Sequence, residues 1–67
     1  MNITRETIID LCVKSLKEFG YENVNKENIF TDEIYKLFFK RQLQDALEQI
    51  EDLRTKEIVN NLLNEIC

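Results

Sequence analysis

Cys12 is the strongest nucleophile this 67-residue chain offers, and the residues around it supply none of what thiol chemistry needs. A cysteine attacks as its thiolate, so a reactive one sits beside a cation, a base or a helix N-terminus. The chain has no histidine to act as that base. Cys12 instead recurs with Ile8, Leu16 and Phe19 at helical spacing, in the middle of an apolar stripe. There it reads as a small buried hydrophobe. Cys67, the other cysteine, reads as an exposed terminal thiol. A bridge between the two would require an oxidising compartment.

Metal and acid–base chemistry fare no better. Zinc sites gather Cys and His at short spacings, and two distant cysteines supply neither. A calcium loop alternates oxygen ligands around a turn glycine, a pattern missing from the acidic runs. No cofactor is expected. Asp45, Glu48, Glu51 and Asp52 read as a solvated helix face, with a contact surface for a basic partner as the functional alternative. Paired carboxylates can act as acid and base, but nothing near these would raise a pKa.

Two further groups have binding chemistry. The run KLFFKRQ, Lys36 to Gln42, interleaves aromatic and basic residues as some single-strand nucleic-acid binders do. Phe38 and Phe39 fall at core-directed positions, which leaves Lys36, Lys40 and Arg41 as a small basic patch beside them. Within GYENVNKEN, Tyr21, Asn23 and Asn25 occupy a connecting segment, where binding residues are commonly displayed. Capping and turn formation is the alternative role for the two asparagines. Tyr35, like Tyr21, suits a core edge or an interface. The residues expected to meet a partner are therefore Tyr21, Asn23, Tyr35, Lys36, Lys40, Arg41, Asp45, Glu48 and Asp52.

The composition decides what can position these groups. With no proline and one glycine, almost nothing interrupts a helix. A hydrophobic fraction of 43% with 33% charged residues argues against disorder and suits helices that are apolar on one face. A chain this short buries only roughly 60% of its unfolded surface, so a partner chain is a natural way to gain stability. The formal charge of −4 weighs against nucleic acid, whose binders rely on Lys and Arg. No apolar run approaches the roughly 20 residues a membrane helix needs, and MNITRETIID lacks the basic-then-apolar order of a signal peptide. A reduced, cytoplasmic protein with no membrane contact is expected.

Helix starts are legible. Thr4 is an N-cap flanked by Ile3 and Ile8 in the positions of a hydrophobic staple, with Glu6 near the positive end of the helix. The stripe of Ile8, Cys12, Leu16 and Phe19, widened by Ile9 and Val13, runs to Gly20, where a Schellman turn would lay Tyr21 on Leu16. Val24, Asn25 and Ile29 repeat the staple around a short helical turn, and Phe30, Thr31 and Tyr35 form a third. A long helix follows from about Asp32 to about Asp52. Its buried side holds Tyr35, Phe39, Leu43, Ala46, Ile50 and Leu53, flanked by Ile34, Phe38 and Leu47, with Asp45, Glu48 and Asp52 opposite. The set Ile58, Val59, Leu62, Leu63 and Ile66 is displaced from it by roughly 160°. The helix must therefore break, and the break is expected at Leu53 to Lys56 with Thr55 as the next N-cap. One helix from Asp32 to Glu65, its second half serving a partner chain, is the competing reading. The predicted fold is all-α, a single small bundle of three main helices plus a short linking helical turn.

EFGYENVNKENIFTDEIYKLFF and TKEIVNNLLNEI together resemble a group of short, all-helical proteins of phages and prophage-bearing bacteria. In that group an FGY-x-N-V element precedes an ENI-x-T-D element, a Tyr/Phe-rich helix and a short closing helix. The likeness spans most of residues 4 to 66 and departs from the pattern at Gln49 to Arg54, where a glycine-bearing loop is expected. It implies a fold and a phage-linked setting, with no catalytic residues to carry over. Size, acidity and an empty catalytic inventory point to a non-enzymatic protein-interaction module. A phage-linked setting would make it an inhibitor or modulator of a host defence protein. Surplus apolar residues on the last two helices suggest a homodimer. A DNA-associated regulator with a helix-turn-helix-like core, Lys36, Lys40 and Arg41 facing phosphate, is the alternative.

Overall fold

Side-chain caps decide where the helical segments of this chain begin, as seen in the computed structural model, which describes residues 3–66. The fold is all-α, with α1 (Arg5–Glu18), a 3-10 turn (Asn28–Phe30), α2 (Glu33–Gln49) and α3 (Leu53–Ile66) in that order. Its radius of gyration, 11.3 Å, is close to the roughly 11 Å of a folded chain of this length.

Thr4 caps α1 as its sequence suggests, accepting from the Thr7 N–H at 3.3 Å while Thr7 Oγ1 accepts from the Thr4 N–H. At the other end Gly20 takes φ of 108°. The Tyr21 N–H then donates to the Leu16 carbonyl and the Gly20 N–H to that of Lys17. These two bonds are the Schellman arrangement, which uses a left-handed residue to satisfy the last carbonyls of a helix. Tyr21 folds back onto the core that contains Leu16.

In the connecting segment, Asn25 Oδ1 accepts from the N–H groups of Glu27 and Asn28, and Asn28 Oδ1 accepts in return from the Asn25 N–H at 2.7 Å. The reciprocal pair closes a single turn, and its staple residues Val24 and Ile29 are buried. Asn28 Nδ2 also donates to the Asn23 carbonyl. Capping and turn formation is thus the structural role of this asparagine cluster.

Two boundaries differ from expectation. The cap of α2 is Asp32, one residue later than Thr31, because the carboxylate reaches both Ile34 and Tyr35 N–H groups at 2.9 and 3.1 Å. Phe30 and Tyr35 consequently do not staple each other. Phe30 stands edge-on to Phe39 and Tyr35 edge-on to Tyr21. The second difference is the break after α2, which comes at Ile50 to Asp52 and not at Leu53 to Lys56. Ile50 is extended, with ψ of 129°, and Asp52 accepts through Oδ2 from both the N–H and the Oγ1 of Thr55. Asp52 is therefore the cap, and Thr55 is a buried first-turn residue instead of the cap itself. Leu53, expected in the core, becomes the first residue of α3 and is 79% exposed.

Each helix contributes one stripe to a shared core. From α1 come Ile8, Ile9, Cys12 and Leu16, from α2 Phe39 and Leu43, and from α3 Val59, Leu62 and Ile66. Phe19, which shares the phase of the α1 stripe, is 72% exposed because it is the capping residue where the chain turns away. Ile34 is likewise exposed. Arg5 spans the bundle, pairing with Glu65 of α3 and lying over the Phe30 ring at 5.4 Å. Lys26 ties the connecting segment to α1 through Asp10 and Glu6 at 3.2 and 3.4 Å. Both pairings are exposed to solvent, where ion pairs orient elements more than they stabilise them.

The Asp52 cap has a pH signature. Its hydrogen bonds from Thr55, the side chain first, hold the carboxyl below its ordinary range. A depressed carboxylate contributes stability above its unfolded pKa of roughly 3.9, and that contribution is lost as pH falls through the lower folded value. Asp52→Asn keeps a capping oxygen without the charge. Its melting temperature should fall below that of wild type at pH 6, with the gap closing towards pH 3. A gap of constant size in thermal melts across that range would mean that the charge plays no part.

Candidate functional site

α2 packs most extensively against α3, and α1 rests more lightly on both. An open cleft of about 510 Å³ remains between α1, the second half of α2 and the start of α3. Ile8, Leu11, Cys12 and Ser15 line it from α1, Gln42, Leu43 and Ala46 from α2, and Thr55 and Val59 from α3. Ile50, Glu51 and Asp52 contribute from the turn, and Ile3 from the segment ahead of α1. Its floor is apolar and buried, formed by Cys12, Leu43 and Val59. Its lips are apolar and open: Leu11 is 62% exposed and Ile3 42%.

The electrostatics of the cleft are one-sided. Glu51 and Asp52 stand at the turn, and among the described residues no lysine or arginine lines the cleft. Among the described residues no buried side-chain nitrogen or oxygen lacks a hydrogen-bond partner. The walls present mainly apolar contact area, with Ser15 and Gln42 as polar side chains from α1 and α2 and negative charge at the turn.

Cys12 illustrates the chemistry this environment suppresses. Burial pushes its thiol up to about 11, from an ordinary value of 9.0. At neutral pH that shift alone lowers the thiolate fraction about a hundredfold, and the thiolate is the reacting species. With Cys67→Ser leaving one thiol, labelling of native protein should run at least a hundredfold slower than labelling in urea. Equal rates would show that Cys12 does not occupy the core.

Of the residues expected to meet a partner, only Asp52 lines the cleft. Tyr21 and Tyr35 instead pack together with Phe38, their ring centroids 5.8 and 5.4 Å from that of Tyr21. All three rings are half-buried against the core. Asn23 is exposed and supplies its backbone carbonyl to the capping cluster. The basic patch is divided. Helical spacing puts half-buried Lys36 and Lys40 along one edge of α2. Arg41 lies on the open face with Asp45 and Glu48, interleaved with exposed Ile34 and Leu37. Tyr35 and Phe38 occupy the far edge, so Lys36 and Lys40 do not flank the aromatic cluster.

Sequence reasoning passed over Leu11, Ile3, Ala46 and Ile50 as a set. Leu11 is the signal that was available, a large apolar residue at the edge of the α1 stripe, three residues from Ile8. Cys67 lies outside the described residues. Among the described residues no three Cys, His, Asp or Glu side chains converge to hold a metal ion, and no helix is long and apolar enough to cross a membrane. No protein-family model, curated protein or solved structure matches the chain. The FGY-x-N-V and ENI-x-T-D elements form the Schellman turn and the two caps that follow it.

Proposed function

We propose that this chain is a small acidic protein-interaction module that docks another protein in the cleft between α1 and α2. The observation that carries the reading is the open apolar cleft with Leu11 and Ile3 on its lips. Isolated exposed apolar residues are ordinary, whereas apolar residues grouped around a concavity mark interaction sites. The proposal includes no catalytic step and no cofactor. In the phage-linked setting that the sequence resemblance implies, the docked protein belongs to the host cytoplasm and the module inhibits or modulates it.

Affinity capture from host extract tests this, with wild type and Leu11→Asn as paired baits. A protein retained by wild type and lost with Leu11→Asn is the expected result. Identical protein sets on both baits would remove the cleft from the reading. Leu11 is exposed, so the substitution leaves the core intact.

Self-association into a homodimer is the second reading, and exposed Ile34 and Leu37 on α2 with Leu53 on α3 favour it. The surface first expected to pair, the apolar faces of α2 and α3, is spent within the chain. Phe39, Leu43, Leu62 and Ile66 are buried there, and Tyr35, Phe38, Leu47, Ile50 and Ile58 are packed against them. A DNA-associated role draws little support from a divided basic patch on a chain of net charge −4.

A further inference from the structure

The cleft specifies the kind of protein segment that fits it. We propose that its occupant is a basic amphipathic helix of another protein, its apolar face on Leu11, Ala46 and Ile50 and its lysine or arginine end at Glu51 and Asp52. The inference rests on the reading of the cleft as a docking face and narrows it to one partner chemistry.

Shape favours a helix. The α1 wall runs from Ile8 to Ser15, or about 10 Å at 1.5 Å per residue. An incoming helix laid beside it meets about two turns of wall, just enough for anchors at i, i+3 or i+4, and i+7, the usual pattern of a helix seated in a groove. The lining supports the same occupant. Ser15 and Gln42 are the polar side chains that α1 and α2 contribute, and every buried polar side chain among the described residues already has a partner. Small polar ligands are oriented by a few convergent polar groups, and the helical walls offer Ser15 and Gln42 from α1 and α2.

Charge sets the direction. Two carboxylates stand at the turn end, and among the described residues no lysine or arginine lines the walls, on a chain of net charge −4. A lysine or arginine brought there faces both carboxylates, with Arg54 the cation of this chain that acts on Asp52. Both hydrogen bonds from Thr55 to Asp52 go to Oδ2. An acidic helix would meet repulsion at the same place, and complementary charge of this kind selects partners more than it adds affinity.

A second copy fits less well. Its exposed apolar ridge, Ile34 and Leu37 with Arg41, lies on a different surface from the cleft. Seating that ridge in a neighbour's cleft is a head-to-tail contact, which propagates unless the rotation closes a ring.

The test uses a displayed library of helical peptides with leucine fixed at i, i+3 and i+7 and all flanking positions randomised, selected on the full chain. Enrichment of Lys or Arg at one end of the peptides is expected. The best peptide should bind Leu11→Asn about tenfold more weakly than wild type, as for loss of an interface anchor. Glu51→Gln should weaken it about threefold, in the range of an exposed ion pair, with a shallower salt dependence. Circular dichroism confirms that both variants remain folded. Cleft-dependent binders without a basic preference would overturn the partner chemistry while leaving the docking reading intact. An empty selection, or binders indifferent to Leu11→Asn, would overturn both. A mass that doubles with concentration for wild type and not for Leu11→Asn would assign the cleft to a second copy.

Discussion

Phe39→Ala should leave the chain without a cooperative melt at room temperature. Phe39 is fully buried, and its ring stands edge-on to Phe30 with centroids 5.5 Å apart. It therefore joins α2 to the connecting segment as well as to the central core. Truncating a buried phenylalanine to alanine costs about 3–5 kcal/mol, through lost transfer energy and the cavity left behind. A single core in a domain this small rarely supplies more than about 3–5 kcal/mol in total. The two magnitudes are equal, so the variant has no margin left. Circular dichroism should show most of the helical signal gone and a broad thermal transition. A sharp melt within a few degrees of wild type would place Phe39 outside the core.

The second large effect distinguishes two leucines of the same helix. Leu62→Ala should lower the urea midpoint by the equivalent of about 2–5 kcal/mol, since Leu62 is fully buried. Leu53→Ala should change stability by no more than about 0.5 kcal/mol, as for an exposed position. Comparable losses at both positions would mean that α3 starts later than Asp52 and that Leu53 still belongs to the α2 stripe.

That contrast marks where sequence reading holds and where it fails. Caps and staples depend on neighbours a few residues away, so Thr4, Gly20 and Asn25 could be assigned correctly without knowledge of the rest of the fold. The need for a break between α2 and α3 was also legible, because two apolar sets of opposite phase cannot share one straight helix. Its position was not. Asp52 satisfies the phase of a solvated α2 face and the chemistry of an N-cap equally well, and periodicity favoured the first. With that choice Leu53 fell into the wrong helix and Thr55 into the wrong role. Phe19 failed for a related reason: phase places a residue on a stripe but does not say whether the helix still faces the core at that point. The cleft was illegible because it belongs to no single helix. Ala46 and Leu11 acquire a common meaning only through the spacing between α1 and α2.

The order in which these helices meet also follows from the way α1 is attached. The turn at Ile50 to Asp52 joins α2 and α3 directly, so their contacts close only short stretches of chain. Joining Arg5 to Glu65 closes nearly all of it. Loop-closure entropy rises with the length of chain enclosed, and contacts close in sequence form faster. The α2–α3 hairpin should therefore assemble early, with α1 docking onto it afterwards. By the same ordering α1 is the first element to detach. Its amides should exchange with solvent faster than those around Leu43 and Leu62, without global unfolding. The cleft spans that seam, so a ligand held there would slow exchange in α1 more than in the hairpin.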